Sequence, residues 1–164
     1  MLGVAVAVPA LVDREAGVVV DAPNLGWHDV DVVAAVTGQD DALGGCPVRV
    51  DNDANCAALA EHVRGVARGV GDALYLTGTV GIGAGLLVDG EVRRGRHGFA
   101  GEVGHVPFGR STRECVCGRR GCWEASIGLH AVQAAAGAPV THGTDPTTAG
   151  AALAEPGGTR RPGP

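Results

Sequence analysis

Short aliphatic runs alternate along this chain with turns built from Gly, Pro, Asp and Asn. Leu2 to Val8 is apolar throughout and stops at Pro9, the pattern of a buried strand. Gly17 to Val20 predicts a second strand, after the turn Asp13-Arg14-Glu15-Ala16-Gly17, and Val48 to Val50 a third. Ala22 to Trp27 predicts a loop, and His28 to Val36 a short helix with Gly38 past its end. The clearest helical signal runs from about Ala54 to Arg68. There Cys56, Leu59, Ala60, Val63, Val66, Ala67 and Val70 recur at helical spacing and predict one apolar face, and Gly69 and Gly71 end the helix. Ala73 to Leu76 reads as the next strand and Thr77 to Gly85 as a glycine-rich loop. Leu86 to Val88, Asp89-Gly90 and Glu91 to Arg93 form a hairpin with a two-residue turn. Arg94 to Gly101 is a loop, and Trp123 to Ala136 predicts a last helix. From Gly137 the periodicity fails. Gly143 to Pro164 has the Gly, Pro, Thr, Ala and Arg composition of a disordered or non-native tail.

Composition narrows this picture. A length of 164 residues suits one domain or pieces of two. Hydrophobic residues make up 45% of the chain but aromatics only 3%, so a core must be built from Val, Ala and Leu. All 13 basic residues are Arg, which excludes any chemistry needing a catalytic or phosphate-binding lysine from this chain. The formal charge of -5 argues against nucleic-acid binding by this segment, since phosphate neutralisation needs a basic face. No apolar run is long enough to span a bilayer, and the N-terminus lacks the basic region of a signal peptide; no membrane partner and a cytoplasmic location are expected.

Three groups of residues carry candidate chemistry. The first is His105-x9-Cys115-x-Cys117-x4-Cys122, one imidazole and three thiols among glycines that permit sharp turns. A Cys₃His set suits a tetrahedral zinc ion with every position filled by protein, hence structural. Free thiols on a loop, or a zinc-ribbon-like module helped by Arg110, Arg113, Arg119 and Arg120, are the alternatives. Cys115 and Cys117 are too close to bridge each other, and Cys46 and Cys56 read as small buried hydrophobes. The second group is Asp51-Asn52-Asp53-Ala54-Asn55, where a strand meets a helix at the end of the sheet that binds ligands in open α/β folds. Asp53 or Asn55 could cap the helix. Alternatively, Asp53 takes a proton from a substrate hydroxyl while Asn52 orients that substrate. The third is the glycine-rich loop, which lacks the Gly-Lys-Ser/Thr of a P-loop and precedes a strand, unlike a dinucleotide fingerprint. It is either an ordinary turn or an anion cradle of backbone N–H groups.

Taken together, Asp51-Asn52-Asp53-Ala54-Asn55, Gly81-Ile82-Gly83-Ala84-Gly85, Gly101-Glu102-Val103-Gly104-His105 and Cys115-x-Cys117-Gly118-x-x-Gly121-Cys122-x-Glu124 occur in an order and spacing that resembles the ROK family. That family holds bacterial sugar kinases and sugar-responsive transcriptional repressors. The likeness covers about Leu2 to Gly137. It implies an α/β fold of the actin, Hsp70 and hexokinase (ribonuclease H-like) ATPase type, here incomplete and carrying a structural zinc loop. Residues 1–70 would be the C-terminal part of the first α/β domain, 71–137 the start of the second, and 138–164 the tail.

The resemblance also implies roles. Asp53 corresponds to the general base that activates a sugar hydroxyl towards ATP. Asn52, Glu102, His105 and Glu124 correspond to hydroxyl-binding residues, with Asn24 as a further contact. Thr79, Gly81 and Gly83 correspond to a nucleotide-binding loop, and His105, Cys115, Cys117 and Cys122 to zinc ligands. Two departures bear on function. The kinases' N-terminal Asp-x-Gly-x-Thr motif is absent, and Val80 stands where kinase members carry threonine. The repressors' N-terminal helix-turn-helix is absent too, so a central fragment is expected. The reading is a sugar-binding core (hexose or N-acetylhexosamine) of a sugar-sensing transcriptional regulator, in a family that suggests homodimers. An ATP-dependent hexose kinase fragment, using ATP and Mg only in a complete parent, is the first alternative, and a zinc-stabilised interaction module the second. No ATP-dependent activity is expected of this chain alone.

Overall fold

The computed structural model describes residues 3–38, 45–109 and 111–137. The expected tail at 138–164, the start of the first strand at Leu2 and Arg110 lie outside them. The described residues fall into two compact units: one within 3–77 and 83–104, the other within 78–82 and 105–137.

In the first unit, β1 (Val4–Val8) pairs in parallel with β5 (Val48–Asn52), placing Val8 opposite Asn52. β2 (Leu11–Asp13), β3 (Val18–Ala22) and β4 (Trp27–Asp31) form an antiparallel meander. β2 escapes the hydrophobic pattern because it is only three residues long. Asp13 Oδ1 turns the chain into β3 by accepting the N–H groups of Glu15 and Ala16 at 3.1 and 3.0 Å.

The helix expected from His28 is corrected. Residues 27–31 are strand β4, paired with β3, and α1 (Val32–Thr37) starts only after Asp31. The Asp31 carboxylate accepts Ala34 N–H at 2.7 Å and sets that boundary. The core of this unit gathers Val8, Ala10, Val12, Val19, Ala22, Val32 and Val50, as an aromatic-poor composition requires.

Helix α2 (Asp53–Arg64) follows β5 without a break and stops at Gly65, one turn before the expected end. Its buried face is also corrected. Ala54, Asn55 and Ala58 are buried, whereas Leu59, Val63 and Val66 are 43%, 50% and 94% exposed. The cause lies in the partner strand. β6 (Ala73–Gly78), β7 (Ile82–Val88) and β8 (Glu91–Val92) form a sheet in that order. Gly83 and Gly85 of β7 present bare backbone to α2. A Cβ on Gly85 would lie 2.5 Å from both Ala54 O and Ala58 Cβ. The contact therefore admits only small residues on both sides, and the large aliphatics of α2 point elsewhere. Cys46 and Cys56 are half-buried rather than buried.

Most of the expected glycine loop is strand: β6 runs through Gly78 and β7 begins at Ile82, leaving 79–81 as the turn. The β7–β8 hairpin turns on Asp89 and Gly90 with φ of 53° and 76°, the left-handed pair that suits a two-residue connection.

In the second unit, the loop after a 3-10 turn at Val103–His105 returns on itself through bridges Pro107–Cys122 and Glu114–Arg120. The single helix expected over 123–136 is two: α3 (Trp123–Ile127) and α4 (Leu129–Ala136). Between them Gly128 is extended (φ -63°, ψ 168°), and a Cβ there would lie 2.7 Å from Glu124 O.

Candidate functional site

The cysteine loop owes its form to short-range turns. Cys115 N–H donates to Arg119 O at 2.8 Å and Gly118 N–H to Cys115 O at 2.9 Å, closing a knuckle around Cys117. Gly118 and Gly121 both hold φ of 80°, and a Cβ on Gly121 would meet Ser111 O at 2.7 Å. Arg120 pairs with Glu114 across the loop. Trp123 N–H bonds Val106 O at 3.0 Å, and the Phe108 and Trp123 rings lie 5.8 Å apart, so the segment before the loop is clamped to the helix after it.

This fold brings all four expected ligands together. The ligand atoms of His105, Cys115, Cys117 and Cys122 lie within 4.8 Å of one another. His105 Nδ1 is 3.6 Å from Cys115 Sγ, and Cys117 Sγ is 3.7 Å from Cys122 Sγ. With bonds of about 2.3 Å to sulfur and about 2.0–2.1 Å to nitrogen, a tetrahedral ion holds sulfurs about 3.8 Å apart and sulfur about 3.6 Å from nitrogen. These two spacings match. The sulfur spacing also far exceeds the disulfide length of about 2.05 Å.

The thiols differ in acidity. Burial pushes Cys115 up to about 12 and raises Cys122 as well. Burial acts the same way on Cys117. There it is outweighed by hydrogen bonds from the Arg119 backbone N–H and side chain and from the two neighbouring cysteines, which hold Cys117 at about 6. Two buried thiols and one exposed one around an imidazole make a donor set that can hold a zinc-sized cation.

Cys122 is also the N-cap residue of α3, and Glu124 lies in that helix's first turn. The half-buried Glu124 carboxylate accepts Ile82 N–H through Oε2 at 2.9 Å, while Oε1 is 4.0 Å from Cys115 Sγ. Leu129 N–H reaches Val80 O at 3.4 Å. The turn at Thr79–Gly81 therefore faces the helix pair that follows the cysteine loop, within one unit.

The first unit carries the other expected residues. Asn52, not Asp53 or Asn55, caps α2: its Oδ1 accepts Asn55 N–H at 3.1 Å, and its Nδ2 donates to Ala10 O at 3.2 Å. Asp53 opens the helix, is exposed, and accepts Ala54 N–H at 2.8 Å. Asp51 is the residue whose purpose sequence reasoning missed. Arg94 grips it with Nε at 3.0 Å and Nη2 at 2.7 Å, while Nη1 donates to Val92 O; Arg14 Nε approaches at 3.6 Å. Three Asx residues in a row exceed what a cap needs, which hinted at a second task, but a partner 43 residues away is invisible in the pattern. Glu102 is half-buried, after Gly101 (φ 102°), whose missing Cβ makes room for Ala84 O. Gly83 lies in the α2 contact described above, and Asn24 is exposed in the β3–β4 turn. No helix among the described residues is long and apolar enough to cross a membrane.

This chain is similar to known proteins. A putative xylose repressor from Caldicellulosiruptor sp. (strain Rt8B.4) is 42% identical over 124 residues, covering 76% of this chain and 30% of the relative. A solved ROK family transcriptional regulator, described as a homolog of the E. coli MLC protein, superposes with a TM-score of 0.71 at 32% identity, covering 81% of this chain and 33% of that one. A ROK family glucokinase from Streptomyces griseus, solved with glucose and AMPPNP, gives a TM-score of 0.71 at 34% identity, covering 79% and 40%. The likeness to that kinase supports the actin-like ATPase fold for the elements described. The chain spans about a third of the length of the curated relatives it matches. The ROK family pattern matches residues 1–153, the four motifs stand at the positions described, and this chain belongs to the ROK family.

Proposed function

We propose that this chain is the sugar-binding core of a sugar-responsive transcriptional regulator. The observation that carries the reading is the coupling of cluster to carboxylate: Cys122, a member of the Cys₃His set, occupies the N-cap position of the helix whose first turn bears Glu124. A structural zinc ion held by His105, Cys115, Cys117 and Cys122 fixes the start of α3, and with it the direction of Glu124 and the His105 ring. Such an ion supplies rigidity rather than Lewis acidity, because all four positions are taken by protein. Glu124 and His105 then offer sugar hydroxyls a charged acceptor and an imidazole in fixed orientation. In the first unit Asn52, Asp53, Glu102 and Asn24 are the candidate sugar contacts. Asn52 contributes chiefly through its cap, which aims Asp53, since both ends of its amide are engaged.

The regulator reading is supported by the 42% identity to a putative xylose repressor. It is also supported by Val80, whose isopropyl group stands where the kinase pattern has a hydroxyl. Likeness to a glucokinase solved with glucose and AMPPNP favours a second reading, a hexose kinase in which Asp53 is the general base and Thr79, Gly81 and Gly83 meet the nucleotide. Calorimetric titration of the chain with xylose, glucose and N-acetylglucosamine tests both. Saturable heat with at least one sugar and no sugar-dependent ATP consumption is expected. Absence of heat with all three removes the sensor reading, and sugar-dependent ATP turnover replaces it with the kinase.

A further inference from the structure

We propose that the Thr79–Gly81 turn is a positioning element for Glu124, and that Gly81 is kept small for this carboxylate. The inference rests on the reading of Glu124 as a sugar contact and assigns the glycine turn a task independent of phosphate. Gly81 does not hold a left-handed φ, so its backbone conformation is open to any residue. What a side chain would disturb is the carboxylate: a Cβ on Gly81 would overlap Glu124 Oε2, the movable end of that side chain, and lie 3.2 Å from its Cδ. By contrast, a Cβ on the neighbouring Gly78 would make only an ordinary 3.4 Å contact with Ile82 Cδ1.

The space is used for a hydrogen bond. Ile82 N–H, the first donor after the turn, meets Oε2 at 2.9 Å, a charge-assisted bond from a rigid backbone group. Oε1 is left 4.0 Å from Cys115 Sγ, beside the metal loop. The backbone N–H thus holds one oxygen of a flexible side chain in place. A carboxylate has about four acceptor sites, so one bond to Ile82 leaves room for sugar hydroxyls. Fixing the carboxylate beforehand removes the ordering cost that a ligand would otherwise bear. By linkage, a sugar held by Glu124 strengthens the Ile82 bond in return. A chain with Val80 in the turn thereby retains a use for Gly81.

Amide hydrogen exchange by NMR and calorimetry on the full chain test this. In Gly81→Ala the displaced carboxylate should leave Ile82 N–H exchanging about tenfold faster, with sugar affinity weakened about tenfold, while metal content is unchanged. Gly78→Ala should match the parent in both readouts. Glu124→Ala, which leaves the turn's own backbone untouched, should speed Ile82 exchange equally if Gly81→Ala does not fold. Parent-like exchange at Ile82 in Gly81→Ala, or in Glu124→Ala, overturns the proposal whether or not sugar binds. Silence of the parent towards every sugar instead removes the sugar reading, while exchange at Ile82 still decides the bond. Bound sugar that leaves Ile82 exchange unaltered overturns the coupling.

Discussion

Replacing Gly85 with alanine should destabilise the chain by about 1–3 kcal/mol, the range for overpacking a tight contact. The added Cβ would stand 2.5 Å from Ala54 O and 2.5 Å from Ala58 Cβ. Ordinary contacts between such atoms lie near about 3.5–4.0 Å, so α2 or β7 must yield by roughly 1 Å. One of the two obstacles is backbone, which no rotamer change relieves. At about 2–4 °C per kcal/mol for a chain of this size, the melting temperature should fall by roughly 2–12 °C. Gly83→Ala is the control: its Cβ would be 3.3 Å from Thr77 Cγ2 and 3.5 Å from Ala54 Cβ, contacts that small side-chain shifts absorb. Because α2 begins at Asp53, a shift of the helix should also weaken the proposed sugar binding in Gly85→Ala but not in Gly83→Ala. Urea unfolding followed by circular dichroism reads the stability difference. Equal stability of Gly85→Ala and the parent would refute the small-residue contact as the reason α2 buries Ala54 and Ala58.

Two further outcomes follow from the geometry. Metal analysis of the purified chain should give about one zinc per chain, and Cys122→Ser should lower that value and alter Trp123 fluorescence, because residue 122 supplies a thiol to the cluster and immediately precedes Trp123 at the start of α3. A parent with far less than one zinc would refute the tetrahedral assignment. Arg94→Met should cost about 1–3 kcal/mol, less than breaking a fully buried pair, since the Asp51 and Arg94 side chains retain 16% and 21% exposure. If urea midpoints of Arg94→Met and the parent coincide, the grip on Asp51 contributes no stability.

Legibility varied with the range of the interaction. β1, β5, the β7–β8 hairpin and α1's stop at Gly38 follow from patterns a few residues long. β4 was misread because Val30, Val32, Val33 and Val36 satisfy a helical spacing as readily as they continue a strand. Asp31, able to cap a helix from the middle of that run, is what separates the two. The break at Gly128 was equally ambiguous, since a glycine between two helical runs is tolerated until a neighbouring carbonyl leaves no room for its Cβ.

The sequence by itself determined the family, the four candidate metal ligands and the glycines that let their loop fold, because ligand chemistry and left-handed turns are written in residue type and short spacing. Only the tertiary structure decided which Asx residue caps α2, that Asp51 belongs to Arg94, and that α2 buries Ala54 and Ala58 and not Leu59 and Val63. It alone showed that Gly81 stands against Glu124. Each of these depends on two segments meeting, at separations of 42 or 43 residues for Asn52 with Ala10, Ile82 with Glu124 and Asp51 with Arg94. Packing, unlike turn chemistry, is a property of the pair and not of either partner.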